Sequence, residues 1–411
     1  MNSLMSLSRG LAVGVIALAL VQLLMRVSYA DDAVVLPKGI SRFFVETKFY
    51  IPFTNRFNSE GESEPFAKPF NVTLNNSVFP TLPPGFNLGT TNVTYKRHLT
   101  EMFIQPAYGL TDRLTVGVNI PYTWYKDGIT ASLNTSGANL GITPAGGIAP
   151  LGLPGVRPAT ITDINNLLRT NFGLKPVQTF SDSGIGDVEA GGKYQYYRSE
   201  NFRAAVTGGV RFPTGKKDDP DNLADFGIGA GTYALGVRLH QDYMQQSEGL
   251  GKRLGFPNPG EYFINTTLRY DYNLPDKRTL RVCPGGGSFC NIKDDVRTKI
   301  GDVLQAEISA RIGFLLQGLN FSPLYMYGYK FKDHYSGDKG LDYGSINKDL
   351  DRNRQSEHIY ILTLTYTTLP LYVEKRFPAP LAIQVSYRDR FAGAGGKPDS
   401  QYISLTVQAY F

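Results

Sequence analysis

The sequence contains few of the residues from which metal centres and disulfide scaffolds are built. Its 411 residues include two cysteines and four histidines, which are His98, His240, His334 and His358. Two cysteines cannot form a disulfide-dense domain or a tetrahedral site of cysteines alone. The sequence contains no Gly-x-Ser-x-Gly motif, and no nucleophile can be paired with a base. We therefore expect no enzyme activity, no bound metal and no cofactor.

The charged residues form no basic run. Lysine and arginine number 42, aspartate and glutamate number 36, and the net charge is +6. Nucleic-acid binding usually needs a clustered basic patch or stripe. We therefore expect no nucleic-acid partner.

Residues 1–30 have the pattern of a secretory signal peptide. One positive charge, Arg9, precedes the apolar run Leu11–Met25, and small residues at Ser28 and Ala30 mark a cleavage site before Asp31. A membrane-anchor helix is the alternative, but the run is shorter than the roughly 20 residues that span a bilayer. We predict that the segment is removed and that residues 31–411 form one domain.

The rest of the chain lacks a second apolar run and alternates apolar with polar residues instead. At the C-terminus one set is Ile403, Leu405, Val407, Ala409 and Phe411, and the other is Ser404, Thr406, Gln408 and Tyr410. A period of two places these sets on opposite faces of one strand. The terminal aromatic looks like that of bacterial outer-membrane barrels, in which a final Phe belongs to the assembly signal. We therefore expect the assembly machinery to recognise Phe411.

Similar alternation predicts about twelve strands. They are Arg42–Phe53, Val93–Tyr108, Arg113–Tyr125, Gly186–Tyr197, Phe202–Pro213, Asp225–His240, Glu261–Tyr272, Gly301–Leu316, Leu319–Phe331, His358–Leu369, Ala379–Phe391 and Tyr402–Phe411. Their connections alternate between short and long, as in barrels with short periplasmic turns and long extracellular loops. The predicted fold is an all-β transmembrane antiparallel barrel with both termini in the periplasm. Ten or fourteen strands, and a secreted β-sandwich, are the alternatives.

Two stretches resemble a known family. One is Tyr108–Tyr122, and the other is Gly184–Tyr194 followed by Gly208–Gly215. They are similar to hairpins of the outer-membrane protein family named for the meta pathway of phenol degradation. The resemblance implies a location in the bacterial outer membrane and a passive or facilitated channel for small solutes, with aromatic or hydrophobic compounds as candidates. A surface-exposed structural or adhesive barrel is the alternative function.

If the apolar face contacts outer-membrane lipid, the opposite face lines the lumen. Charges are expected there, because an Arg or Lys on the lipid face costs about 2–4 kcal/mol near the midplane. The predicted lining residues are Glu46, Lys48, Glu101, Asp187, Glu189, Lys193, Arg203, Arg211, Arg269, Asp271, Glu307, Arg311 and Arg388. They would line a pore for a small-molecule solute, or they would brace the wall. Because the two signs nearly balance, we expect weak ion selectivity. The oligomeric state stays open.

A long loop carries a helix pattern at Thr160–Gly173. Thr162 or Asp163 could cap its N-terminus, apolar residues share one face, and Gly173 could end it. The apolar face has to pack against another part of the protein to be shielded from water. The helix could fold into the barrel mouth as a constriction, or it could rest on a loop or on the rim.

Cys283 and Cys290 flank three glycines in a predicted extracellular loop, so we predict a local disulfide between them. Thiol labelling of the mature protein without reductant is expected to find neither cysteine free. Closing so short a loop stabilises by less than the roughly 3 kcal/mol of a 15-residue loop, so replacing both cysteines is expected to leave assembly intact. Free thiols in a fresh sample would contradict the pairing.

Overall fold

Twelve strands close into one antiparallel barrel. A computed structural model describes residues 32–79, 82–245, 262–282, 290–313, 318–339, 343 and 354–411. The barrel strands are β1 (Ser41–Tyr50), β2 (Asn87–Thr111), β3 (Leu114–Asn134), β4 (Glu189–Arg198), β5 (Phe202–Arg211), β6 (Ala234–Gln245), β7 (Tyr262–Asn273), β8 (Val303–Gly313), β9 (Leu319–Lys330), β10 (Gln355–Thr367), β11 (Leu381–Ala394) and β12 (Gln401–Tyr410). Each strand pairs with the next, and β12 pairs with β1. The predicted count of twelve is confirmed.

The alternation in sequence becomes two different barrel surfaces. On β12, Ile403 is 50% exposed and Leu405 47%, whereas Ser404 is 1% exposed and Thr406 0%. Apolar residues therefore cover the outside of the barrel and polar residues face inwards, as the pattern predicts for a barrel in lipid. A soluble sandwich would bury its apolar face instead.

The β2–β3 hairpin is much longer than its neighbours. The two strands contain 25 and 21 residues, about twice the 9–11 that a tilted strand needs to cross a bilayer. The strand Phe180–Ile185 pairs with Tyr122–Asp127 of β3. The hairpin extends away from the end where β1 begins and β12 ends, which is the predicted periplasmic end. It therefore supports the extracellular loops.

The loops carry short elements of their own. Short strands lie at Asn55–Phe57, Ser63–Pro65, Thr73–Asn75, Leu140–Ile142, Ile148–Pro150, Arg157–Pro158, Phe180–Ile185, Asp276–Arg281, Lys293–Lys299 and His334–Ser336. Within the described ranges, the α-helices are α1 (Ile161–Phe172) and α2 (Leu369–Val373), and a 3-10 turn covers Lys68–Phe70. Among the residues that the model describes, no helix combines the length and apolar character required to cross a bilayer.

Helix α1 rests on other loops. Its N-cap is Thr160, which forms a capping box with Asp163, so the predicted caps Thr162 and Asp163 were wrong. A hydrogen bond from Arg157 lowers the pKa of the Asp163 carboxyl. Gly173 ends the helix at φ 65°, as predicted. The buried face contains Ile164 and Leu168 and packs in a cluster with Leu74, Val78, Phe79, Leu82, Leu88, Leu140 and Ile142. Of the two predicted arrangements, a constriction in the barrel mouth and a helix packed on a loop or on the rim, the packing on loops is observed.

The predicted strand Asp225–His240 was wrong in position. The strand β6 begins at Ala234, and the Gly-rich stretch Gly227–Gly231 belongs to the connection before it. This connection folds against the barrel interior, where the Asp187 carboxylate accepts the backbone N–H groups of Gly215 and Ala230. A Cβ on Gly229 would lie 2.4 Å from Asp187 Oδ1, so the close contact between this connection and Asp187 requires glycine at position 229. Alternation alone could not separate this inward connection from a strand.

Deleting Phe411 is expected to lower assembly of the barrel. Its backbone N–H donates to the Ser41 carbonyl at 3.0 Å and its carbonyl accepts from Ser41 at 2.9 Å, so the deletion removes two bonds at the seam between β12 and β1. The measurement is the fraction of outer-membrane protein whose gel mobility changes on boiling. Phe411→Tyr, which keeps an aromatic ring, is the control. Equal folded fractions for the deletion and the parent would contradict this role.

Candidate functional site: the barrel lumen

The predicted charged residues divide into two groups in the lumen. The lumen contains three cavities, and the predicted residues that line at least one of them are Glu101, Asp187, Glu189, Lys193, Arg211, Arg269, Asp271, Glu307 and Arg311. Glu46, Lys48, Arg203 and Arg388 are not among the lining residues of these cavities, and Glu46, Lys48 and Arg388 are buried. Both sequence-level interpretations, cavity lining and wall bracing, therefore describe part of the set. Cys283 of the predicted disulfide lies outside the described residues, so that pairing stays a prediction.

The three cavities adjoin one another. Their volumes are about 860, 220 and 70 Å³, and Asn119 and Glu189 line all three. The largest contacts Tyr410 and Phe411 at the end of β12, so it lies at the periplasmic end of the lumen. The smallest reaches Leu99 and Ile228 higher in the barrel. Together they extend from the periplasmic mouth to the middle of the barrel.

A segment before β1 lies inside this space. We call residues Asp32–Lys38 the strap. Leu36 N–H donates to Thr115 Oγ1 at 2.7 Å, and Lys38 N–H donates to Asp112 at 3.1 Å. The strap therefore ends beside the β2–β3 turn, where it lies against the inner wall.

The other end of the strap is anchored across the lumen. Ala33 N–H donates to both carboxylate oxygens of Asp242 at 3.0 and 2.9 Å, and the Ala33 carbonyl accepts from Gln195 at 2.7 Å. Lys193 donates to the Asp32 carbonyl at 2.7 Å. Ala33 is fully buried. These contacts hold the strap across the periplasmic part of the lumen.

The strap contributes apolar side chains to the largest cavity. Val34, Leu36 and Pro37 line it, and the barrel wall adds both apolar residues, such as Ile361, and charged ones, such as Arg269. A cavity that combines apolar and charged side chains suits a small amphipathic solute, because most ligand sites combine apolar contact with a few placed polar groups.

A buried ionic network stiffens the wall of β10 and β11. Glu357 accepts from Arg390 at 2.8 Å and from Lys397 at 3.1 Å, and Arg388 donates to the Ser400 carbonyl at 3.0 Å. Burial lowers the pKa of Lys397, in the turn after β11, to about 8 despite the neighbouring Glu357. Buried charges of this kind need complete pairing, because an unpaired ion carries a large desolvation cost.

Aromatic side chains fill the lumen towards the extracellular end. We call this cluster the aromatic plug, and its rings are Tyr50, Phe53, Phe66, Tyr95, Tyr125, Phe226 and Tyr402. Phe226 comes from the connection before β6, and Phe53 and Phe66 come from the connection after β1. The rings pack in tilted and edge-to-face pairs at 5.0–6.4 Å between centroids. Residues of the inward-folded loops therefore pack against rings of the wall above the cavities.

An ion pair stands at the centre of the aromatic plug. Arg97 Nε and Nη2 donate to the two oxygens of Asp127 at 2.7 and 2.6 Å, and both side chains are fully buried. The Arg97 guanidinium carbon lies 3.7 Å from the centroid of the Phe226 ring. This contact links the wall to the inward connection by a cation–π interaction.

Several lumen residues were missed at the sequence level. Arg97, Asp127 and Arg238 lie on strands and share the inward phase of their neighbours, so the alternation could have found them. Asp242 was missed because the strand was placed too early. The strap has no periodic pattern, and its contacts lie up to 209 residues away in sequence.

A closed barrel with a lipid-like outer face and a charged interior defines a β-barrel of the bacterial outer membrane. The family model for the MetA pathway of phenol degradation matches residues 74–273. The match confirms the family resemblance seen in the two hairpin stretches.

One solved structure shows the same fold, and others are similar at lower scores. An outer-membrane channel from Pseudomonas putida F1, COG4313, superimposes with a TM-score of 0.51 at 12% identity, over 94% of this chain and 100% of that chain. The beta domain of the Bordetella autotransporter BrkA superimposes with a TM-score of 0.38 at 9% identity, over 90% of this chain and 99% of that chain. The Ralstonia pickettii toluene transporter TbuX superimposes with a TM-score of 0.36 at 10% identity, over 92% of this chain and 90% of that chain. No curated protein matches the sequence.

Asp127→Ala is expected to destabilise the barrel by about 3–5 kcal/mol, because it leaves Arg97 buried without its counter-ion. The measurement is the free energy of unfolding in urea, followed in lipid vesicles. The matched control combines Arg97→Met with Asp127→Leu, which removes both charges and is expected to be far less harmful. Equal destabilisation by both variants would show that ring packing, and not the ion pair, holds the plug.

Proposed function

We propose that the protein is a non-enzymatic transporter that lets small aromatic or hydrophobic solutes cross the outer membrane through the barrel lumen. The observation that supports this most directly is the cavity of about 860 Å³, whose lining combines apolar side chains of the strap and the wall with charged side chains of the wall. The family match supports the same conclusion. A solute of this class would be released from, or taken into, the periplasmic end.

The aromatic plug fits the same solute class. Aromatic pairs gain about 0.5–1.5 kcal/mol beyond area burial, so a solute ring can replace a plug ring as a partner. Phe226 is the ring that comes from the connection before β6, and it rests on Arg97 through one face. We infer that passage requires this connection to move.

A second candidate function is a surface-exposed structural or adhesive barrel. The observation that favours it is the separate apolar core of the extracellular loops, in which α1 packs. A folded loop unit of this kind offers a stable surface to a partner. A lumen that never admits solute, together with loops that bind a partner, would favour this alternative.

Transport is tested with purified protein in liposomes. Benzyl alcohol, a small neutral aromatic compound, is expected to enter proteoliposomes faster than protein-free liposomes. Because this probe also permeates lipid, a slower-permeating neutral solute of similar size, arabinose, is followed in parallel by swelling. Equal rates with and without protein for both solutes would overturn the proposal.

Deleting residues 33–37 is expected to raise single-channel conductance, because the strap crosses the periplasmic part of the lumen. The deletion keeps Asp31 and Asp32 after the predicted cleavage site. Gln195→Ala is a milder variant that removes one anchor, with a smaller rise expected. If a deletion variant folds, as judged by the change of its gel mobility on boiling, and its conductance is unchanged, the strap does not limit the conductance of the barrel.

A further inference from the structure

We propose that the outer face of the β2–β3 hairpin binds the phosphorylated sugar headgroup of a glycolipid in the outer leaflet of the membrane. The binding residues are three exposed side chains, Lys96, His98 and Lys126, which we call the cationic patch. The patch lies on the outside of the barrel, so the inference is independent of what crosses the lumen.

The strand register brings the patch together. His98 lies directly opposite Lys126, and Lys96 lies two residues farther along β2 on the same face. Opposed residues of an antiparallel pair have Cβ atoms about 4.5–5.5 Å apart, and residues two apart on one strand are separated by about 7 Å. Arg97, between Lys96 and His98, points inwards and is fully buried. The three polar side chains therefore share one small area of the outer surface.

The patch lies just above the apolar band of the barrel. Twelve residues of β3 separate Leu114, on the same face near the periplasmic end, from Lys126. At a strand tilt of 35–45° this stretch rises by about 28–32 Å, whereas the apolar band of such barrels is about 25 Å tall. Tyr122 and Trp124 precede Lys126 on this face, and their ring centroids lie 4.4 Å apart. They form the aromatic girdle of this strand, so Lys126 stands at the level of the lipid headgroups.

The patch has no counter-charge from the protein. Within the described ranges, the side chains of Lys96, His98 and Lys126 have no ion pair or hydrogen bond. The carboxylates next to the patch in sequence or across the strands, and in the connection after β1, are already paired: Asp127 with Arg97, Asp182 with Lys216, and Glu64 with Arg56 and Lys68. Two lysines and a histidine at headgroup level are therefore available to an external anion.

Open space adjoins the patch. Gly128 lies directly opposite Lys96 and two residues beyond Lys126. A Cβ on Gly128 would meet only the Lys96 carbonyl oxygen, at 3.6 Å. On the other side of Lys126, the ring of Trp124 is 41% exposed. A phosphate at the lysines therefore has room for the sugar that carries it, and that sugar would lie beside an exposed aromatic ring.

The position of the patch favours a lipid phosphate over a soluble anion. Basic side chains at the membrane surface attract anionic headgroups, and lysine binds phosphate as a point charge. Directly below the patch, the same face of the hairpin is apolar and includes Met102, Ile104 and Ile120. Glycolipids of the bacterial outer leaflet carry their phosphates on the sugars to which the acyl chains are attached. One such molecule would place its phosphate on the lysines and its chains on the apolar face.

The test measures lipid A binding to the detergent-folded mature protein by native mass spectrometry. Lipid A with two phosphates is expected to bind, and fully dephosphorylated lipid A to bind at least tenfold more weakly. The double variant Lys96→Gln with Lys126→Gln is expected to weaken the binding of phosphorylated lipid A about tenfold to thirtyfold. Equal binding of the two lipids by the parent protein would overturn the proposal.

The matched control is the double variant Lys277→Gln with Lys375→Gln. Both lysines are exposed, and they lie outside the hairpin, in the short strand Asp276–Arg281 and in the turn after α2. The control makes the same change of net charge and is expected to leave lipid A binding unchanged. Equal losses in the two double variants would show attraction to the overall charge of the protein and would overturn the site.

A second pair of variants tests the location at Gly128. Gly128→Glu places a carboxylate beside Lys96 and Lys126 and is expected to weaken binding at least tenfold. Gly128→Gln, which has the same shape without the charge, is expected to lose much less. Both are compared as folded protein, as judged by the change of gel mobility on boiling. A folded Gly128→Glu variant that binds phosphorylated lipid A as the parent does would contradict the site.

Competition identifies the source of the phosphate. Inorganic phosphate, and a phosphorylated sugar without acyl chains, are expected to displace lipid A only at far higher concentrations. Displacement by either at the concentration at which lipid A itself competes would overturn the lipid as the ligand. Solute entry into liposomes is measured separately, so the loss of lipid A binding with unchanged entry would leave the transport proposal intact.

Discussion

The structure depends on one constraint, which is that no strand may leave its backbone unpaired in lipid. Each unsatisfied backbone group in hydrocarbon costs several kcal/mol, so a sheet in a membrane has to close on itself. Here β12 meets β1 in register from Arg42 opposite Tyr410 to Tyr50 opposite Tyr402. Closure creates an interior, and the two-residue period of a strand then turns one face of each strand towards it. The lumen and its chemistry are consequences of this closure.

A closed interior brings charges together that would each be costly alone. The Glu357 network and the Arg97–Asp127 pair are buried, and their side chains are met by opposite charges or by ring faces. By contrast, the corner of β3 to β6 combines charged side chains of both signs with a row of opposed glycines, Gly117, Gly191, Gly209 and Gly236. The same polar face therefore braces the wall in one part and leaves an open, charged space in another.

Three parts of the chain fold into the lumen and divide it. The strap lies across its periplasmic part, the connections bearing Phe53, Phe66 and Phe226 fill its extracellular part, and the cavities lie between them. None of these segments is a strand of the wall. Movement of the plug or the strap would thus change access to the cavities without breaking the ladder that holds the barrel in lipid.

The sequence by itself determined the barrel, a count of about twelve strands and the inward phase of the charged residues, because alternation is a local property of each strand. It also identified α1 and its end at Gly173. Only the tertiary structure decided that Gly227–Gly231 folds inwards, that the strap reaches Asp242, and that Arg97 meets Asp127 between aromatic rings. The glycine row likewise exists only in the register of four strands. These features depend on contacts between distant parts of the chain, and a periodic pattern carries no information about which strands and loops will face each other across a lumen.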